Sequence, residues 1–172
     1  KDKLSGYTFK ISAMSFYQTN PIQTEILYEN AIKFANLDKN DILCDLYCGI
    51  GTIGIFASKM VKKVYGIEIV KEAIEAAKEN AKINNVDNIE FIAGDVEKRK
   101  IKPTAIIVDP PRRGLDTVTI NKILELEVKK FVYVSCNPAT MIRDIKLLEK
   151  KYEVNKIQPV DMFPFTSHVE CV

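Results

Sequence analysis

From residue 40 onward the chain alternates between two apolar patterns: short, nearly continuous runs, and longer stretches whose apolar positions recur at helical spacing. The runs 41–46, 63–69, 88–93, 105–108 and 131–135 predict strands, and unbroken runs such as AIIV predict strands covered on both faces. The segments 52–60, 70–84, 115–126 and 139–150 predict helices. In the second of these Ala73, Ile74, Ala77, Ala81 and Ile83 trace one face near the 3.6 period. Strands alternating with helices of about 10–15 residues imply βαβ crossovers, hence an α/β chain with a mostly parallel sheet and helices on both faces.

The two ends read differently. Segments 152–160 and 168–172 predict a final strand pair joined by a Phe-Pro-Phe loop, an antiparallel edge for the sheet. Asn20-Pro21 opens a helix running to about Asn36, with Pro in its first turn. Residues 1–17 have no strong period and are expected as an N-terminal arm from a missing upstream domain, with the catalytic domain spanning 18–172.

The 172 residues are 47% hydrophobic and 28% charged, which fits one folded domain and excludes disordered and fibrous classes. Twenty-five basic against 23 acidic residues leave a net charge of +2, which neither demands nor excludes a nucleic-acid partner. Cys44, Cys48, Cys136 and Cys171 are too scattered for a disulfide framework and point to reduced thiols in a cytoplasmic setting. No metal site is expected, a site shared by Cys44, Cys48 and His168 being the minor alternative. No run approaches the ~20 apolar residues of a membrane span. The first residue is not Met, so a piece of something longer is expected.

Gly49-Ile50-Gly51-Thr52-Ile53-Gly54 follows a strand and opens a helix, and Glu68 ends the next strand. Glycines let the backbone turn tightly against a ligand, and the carboxylate can accept two ribose hydroxyls. NAD and S-adenosylmethionine both meet those demands. Asp45, directly before the loop, suits a cationic methionine moiety better than a pyrophosphate at a helix N-terminus. Asp95 is placed either to meet an adenine amine or as an exposed turn acid.

Chemistry concentrates at two later strand ends. Asp109-Pro110-Pro111-Arg112-Arg113-Gly114 sets a carboxylate on a rigid, extended segment. Ser135-Cys136-Asn137-Pro138 sets a thiol before a Pro-opened helix, whose amides are expected to favour thiolate. Cys136 then reads as a carbon nucleophile or as a small packing thiol. Cys44 and Cys171 read as packing, and Cys48 stays undecided. Arg112 and Arg113 read as anion contacts or a solvated loop, and Phe163 and Phe165 as stacking partners for a planar ring or plain loop packing. Arg143, Lys146, Lys129-Lys130 and Lys150-Lys151 read as plain surface charge. His168 and Glu170, two apart, would share one strand face, with His168 left outside the site.

FYQTN at 16–20, DLYCGIGTIG at 45–54, DPPRRGL at 109–115, SCNPAT at 135–140 and DMFPFTSHVE at 161–170 together resemble the RNA (uracil-5-)-methyltransferase family, in order and across nearly the whole chain. The resemblance implies a Rossmann-like class I methyltransferase fold and S-adenosylmethionine as cofactor. It implies Cys136 as nucleophile, Glu170 as base, and cofactor contacts from Gln18, Tyr47, Glu68, Asp95 and Asp109, with Gln18 and Asp109 near the target base. The substrate it implies is a uridine of ribosomal or transfer RNA, methylated at carbon 5. Amino-group methylation by the Asp-Pro-Pro loop, and a cofactor-binding fragment inactive without its RNA-binding domain, are the alternatives, with a dehydrogenase behind them.

Overall fold

The computed structural model describes residues 2–11, 18, 20–94 and 101–172. A hairpin of β1 (Asp2–Leu4) and β2 (Tyr7–Phe9) precedes α1 (Pro21–Ala35). Then follow β3 (Ile42–Leu46), α2 (Thr52–Ala57) with a 3₁₀ turn (Ser58–Met60), β4 (Lys63–Glu68), α3 (Lys71–Ile83) and β5 (Ile89–Ala93). The chain continues through β6 (Ala105–Val108), α4 (Thr117–Leu126), β7 (Lys130–Tyr133), α5 (Pro138–Leu148), β8 (Pro159–Val160) and β9 (Glu170–Cys171).

Five strands form one parallel sheet in the order β5-β4-β3-β6-β7. The chain builds outward from β3 to β5, then returns to lay β6 on the other side of β3. That reversal is the switch point where the crevice of an open α/β sheet lies, outside the C-terminal strand ends. Alternation along each strand divides the core. Leu43, Val64 and Ile107 face a layer containing Leu27 and Ala31 of α1 and Ile53 and Phe56 of α2. Cys44, Ile106 and Val108 face Ile120 and Ile123 of α4 and Met141 and Leu148 of α5. All four residues of β6 are fully buried, as expected for a central parallel strand. Each such Ile or Val stabilises the fold by roughly 1.5–3 kcal/mol.

Helix ends follow local chemistry. Asn20 accepts from Gln23 N, Asp116 from Thr119 N and Asn137 from Ala139 N, with Pro21 and Pro138 opening α1 and α5. The Asp116 cap starts α4 at Thr117, two residues later than the pattern suggests.

Two segments differ from expectation. Within the expected extended arm, residues 2–9 form a hairpin whose turn, Ser5 (φ 44) and Gly6 (φ 81), has both residues left-handed, as a two-residue connection between twisted strands requires. Leu4 and Phe9 are fully buried in the core. Asn84 and the fully buried Asn80 of α3 hold the outgoing strand: Oδ1 of each accepts from Thr8 N (2.8 Å) and Lys10 N (2.7 Å) respectively. Asn80 Nδ2 also donates to Lys10 O and, at 3.2 Å, to Ile50 O in the glycine loop.

At the other end, the strand predicted over 152–160 shrinks to Pro159–Val160. Val154 and Ile157 are 46% and 61% exposed, so no layer rewards the alternation. The β8–β9 pair joins the main sheet through an antiparallel bridge between Ser135 and Cys171.

The Lys129-Lys130 pair is more than solvated charge. Lys130 Nζ donates to Asp38 (2.9 Å) and Asp41 (2.6 Å). Burial pushes the Asp41 carboxyl up, but hydrogen bonds from Lys130, Thr104 and Asp38 N outweigh it and hold it below the usual range. This cluster ties the N-terminal ends of β3, β6 and β7, away from the crevice. No helix among the described residues is long and apolar enough to cross a membrane.

Candidate active site

Of the four cysteines, Cys44, Cys48 and Cys171 are buried and Cys136 alone is half-buried. Cys48 lies inside the glycine loop, its N donating to Ile67 O. Cys136 follows the end of β7, one residue before the Asn137 cap of α5.

Ser135 and Cys171 exchange both backbone hydrogen bonds, 2.9 and 2.8 Å, across an antiparallel bridge. Cys136 and Glu170 each lie one residue from that bridged pair, and the Glu170 charge acts on the Cys136 thiol. Glu170 is 3% exposed, and burial raises its carboxyl to about 7. His168, by contrast, is exposed and lies outside β9. The two therefore do not share a strand face, because the regular ladder begins only at Glu170.

Asp109 follows β6 on the next strand, its N donating to Leu46 O. Burial, then the charges of Glu170 and Asp45, raise its carboxyl to about 8. The same groups govern the thiol. Burial first, then Glu170 and Asp109, raise Cys136 above its ordinary value, with Arg112 opposing more weakly. The thiol is thus shifted opposite to the lowering expected from its place before a helix, with burial the largest cause.

The glycine loop lies between β3 and α2. Asp45 is fully buried; its Oδ2 accepts from Gly54 N at 2.8 Å. Burial raises its carboxyl to about 7 against that hydrogen bond, with Glu68 adding to the rise. Glu68 Oε2 accepts from Gly49 N, and Oε1 accepts from Ile69 N and Val70 N. Glu68 thereby links the loop to the start of α3. At Gly51, φ is +84° and a Cβ would lie 2.6 Å from the Phe91 ring, so only glycine lets the loop pass there. Tyr47, itself left-handed (φ 62), holds its hydroxyl 3.3 Å from Thr119 Oγ1 of α4. Gln18 is 6% exposed. Nearby, Asn20 Nδ2 donates to Met162 O, tying the start of α1 to the loop before Glu170. Asp95 lies outside the described residues, as do Phe16, Tyr17 and Thr19.

The pocket's chemistry fits a cationic amino-acid ligand. Among the described residues Gln18 Oε1 and Asp45 Oδ1 are buried acceptors without a hydrogen-bond partner. Buried polar atoms are rarely left so, and an ammonium or sulfonium-bearing ligand would answer both the orphaned acceptors and the excess of carboxylates.

Sequence reasoning missed a set of contacts around the Asp-Pro-Pro loop. Arg143, read as surface charge, pairs through Nε (2.9 Å) and Nη2 (2.7 Å) with Asp144 Oδ1. Its Nη2 also donates to Arg113 O and Leu115 O. The fully buried Asp144 accepts from Leu115 N (2.7 Å) and Tyr133 Oη (2.8 Å) on Oδ2. Asn137 Nδ2 and Thr140 Oγ1 donate to Arg112 O. Neighbouring residues on a helix do not ordinarily face one another, so no local signal announces the Arg143–Asp144 pair. On the solvent side Arg112 Nη2 lies 3.3 Å from His168 Nδ1, and His168 stacks edge-on to Phe163. Phe163 packs partly against the core, whereas Phe165 is fully exposed at φ 68.

The family model described as tRNA (Uracil-5-)-methyltransferase matches residues 3–100 and 94–172. The chain belongs to this family. An uncharacterized RNA methyltransferase of Oceanobacillus iheyensis is 50% identical over 179 residues, covering 99% of this chain and 39% of that protein. One from Staphylococcus aureus is 50% identical over 178 residues with the same coverage. The chain thus spans about 39% of the length of these curated relatives. Among solved structures it is similar to Pyrococcus abyssi tRNA (uracil-54, C5)-methyltransferase, determined with S-adenosyl-L-homocysteine. That match has a TM-score of 0.87, 37% identity, and covers 99% of this chain and 42% of that one. Precorrin-6y C5,15-methyltransferase of Geobacter metallireducens shares the fold alone, with a TM-score of 0.73 at 12% identity over 95% of this chain and 91% of that one. The Rossmann-like methyltransferase fold and an S-adenosylmethionine-type cofactor site are therefore features of this chain.

Proposed function

We propose that the protein containing this chain transfers a methyl group from S-adenosylmethionine to carbon 5 of a uridine in transfer or ribosomal RNA, with Cys136 as nucleophile and Glu170 as base. The observation that carries this reading is that the half-buried Cys136 and the buried Glu170 adjoin the Ser135–Cys171 bridge, with the charges of Glu170 and Asp109 both acting on the thiol. When bound, S-adenosylmethionine would supply an electrophilic methyl group, and Gln18, Tyr47, Glu68, Asp95 and Asp109 would hold it.

Carbon 5 of uracil is too poor a nucleophile to take that methyl unaided. Deprotonated Cys136 adds to carbon 6, forming an S–C bond and pushing the ring electrons onto the carbon 4 oxygen. Carbon 5 becomes enolate-like and accepts the methyl. Glu170 carboxylate then removes the remaining carbon 5 proton, the S–C6 bond breaks and its electrons return to sulfur. Covalent addition replaces one difficult step with easier ones, and fixed placement of the reactants removes much of the entropic barrier. The uridine must leave its stack to reach the thiol. Phe165, Arg112 and Arg113 at the mouth suit stacking and phosphate contact.

RNA carrying 5-fluorouridine tests this. Fluorine cannot leave as a proton, so a denaturation-resistant adduct at Cys136 is expected, absent from Cys136→Ala. Methylation of the ordinary transcript with no such adduct on the fluorinated one would refute the covalent route.

A further inference from the structure

We propose that Arg143 is a positioning residue: locked onto Asp144, it holds the Asp109–Leu115 loop at a fixed distance from Cys136, so that two strand ends act as one rigid site. This rests on the reading of Cys136 and Asp109 as parts of one active site.

The loop cannot hold itself. Pro110 and Pro111 have no N–H to donate, so the segment must be anchored through its carbonyls and its later amides. Those anchors come from the first turns of α5, the helix that begins just after the thiol. Asn137 and Thr140 donate to Arg112 O, Arg143 to Arg113 O and Leu115 O, and Asp144 accepts from Leu115 N. Gly114 completes the fit. At φ +79 it closes a turn with its N donating to Pro111 O, and a Cβ there would stand 2.4 Å from Asp144 Oδ2 and 2.7 Å from Arg143 Nη2. An arginine on a solvated helix face has no need of such a close approach. The planar guanidinium, with several donors in a fixed fork, can serve a carboxylate and two carbonyls at once; a lysine ammonium cannot.

The groups facing Cys136 are Glu170 on β9 and Asp109 and Arg112 on this loop. If the loop recedes, Asp109 and Arg112 leave together. Since Asp109 acts on the thiol more strongly than Arg112, the thiol should then ionise at lower pH.

The test uses Arg143→Lys and Arg143→Gln in the full-length protein. Both keep a donor within reach of Asp144 but neither can serve the carboxylate and two carbonyls at once, so the second variant decides should the first fail to fold. S-adenosyl-L-homocysteine affinity by calorimetry is expected to fall, because Asp109 moves with the loop. Alkylation of Cys136 by iodoacetamide, followed on its peptide by mass spectrometry, is expected to shift to lower pH. With RNA, kcat should fall about 10- to 100-fold, the scale of an ångström-sized misplacement, and KM should rise because Arg112 and Arg113 move with the loop. A folded variant with the wild-type alkylation profile overturns the proposal, whether or not kcat falls. A shifted profile in protein that methylates no uridine upholds the positioning role and refutes the uridine reading instead.

Discussion

Replacing Asp144 by Ala removes the acceptor at the centre of the α5 contacts and leaves its donors behind. Leu115 N and Tyr133 Oη both belong to residues at most 5% exposed, so neither finds water easily. Each stranded buried donor costs about 1–3 kcal/mol. The Arg143 side chain is 52% exposed and rehydrates, so it contributes little further. The loss should therefore be about 2–6 kcal/mol, two stranded donors at that cost each. Equilibrium urea unfolding, with a slope of about 2 kcal/mol/M, should show the midpoint falling by about 1–3 M at unchanged slope. Asp144→Asn retains an acceptor oxygen for Leu115 N and should lose less. A midpoint shift under about 0.5 M for Asp144→Ala would refute the claim that the buried carboxylate sustains this loop.

The crevice carboxyls predict an inverted pH dependence. Asp45 and Glu170 titrate at about 7 and Asp109 at about 8 in the fold, against about 4 unfolded. Between those values the folded state binds more protons, so stability falls as pH rises from about 4 to 8; melting of the cofactor-free protein across pH 5–8 should show this, with a shallower slope in Glu170→Gln, and a rising Tm would contradict it. Gly51→Ala forces both an unfavourable φ and an overlap with Phe91. It should weaken S-adenosylmethionine binding at least tenfold by calorimetry, and unchanged affinity would show that the loop conformation does not shape the pocket.

The five-stranded sheet was legible because its central strand β6 is buried on both faces and reads as an unbroken apolar run, while short apolar segments alternate along the chain with helices that carry one apolar stripe each. The strand-end motifs were legible for a related reason: in such a sheet, residues just past β3, β6 and β7 must meet at one crevice. What escaped was set by distance in the chain. The pattern of Tyr152–Val160 looked strand-like, yet alternation only matters when a second layer covers one side, and Val154 and Ile157 face water. The hairpin did have a local sign, the turn-forming pair Ser5-Gly6. Arg143 and Lys130 are ordinary surface letters until tertiary partners, the Arg113 carbonyl and Asp41, come to them. The rise in the Cys136 thiol was invisible for the same reason, since its causes lie 27 and 34 residues away at Asp109 and Glu170.

Asn80 gives the molecule a mechanical linkage. A single amide grips the strand leaving the hairpin by both its Lys10 backbone groups and reaches the Ile50 carbonyl with a remaining hydrogen. Movement of the strand leaving β2 is thereby coupled to the turn between β3 and α2, two segments 40 residues apart in the chain.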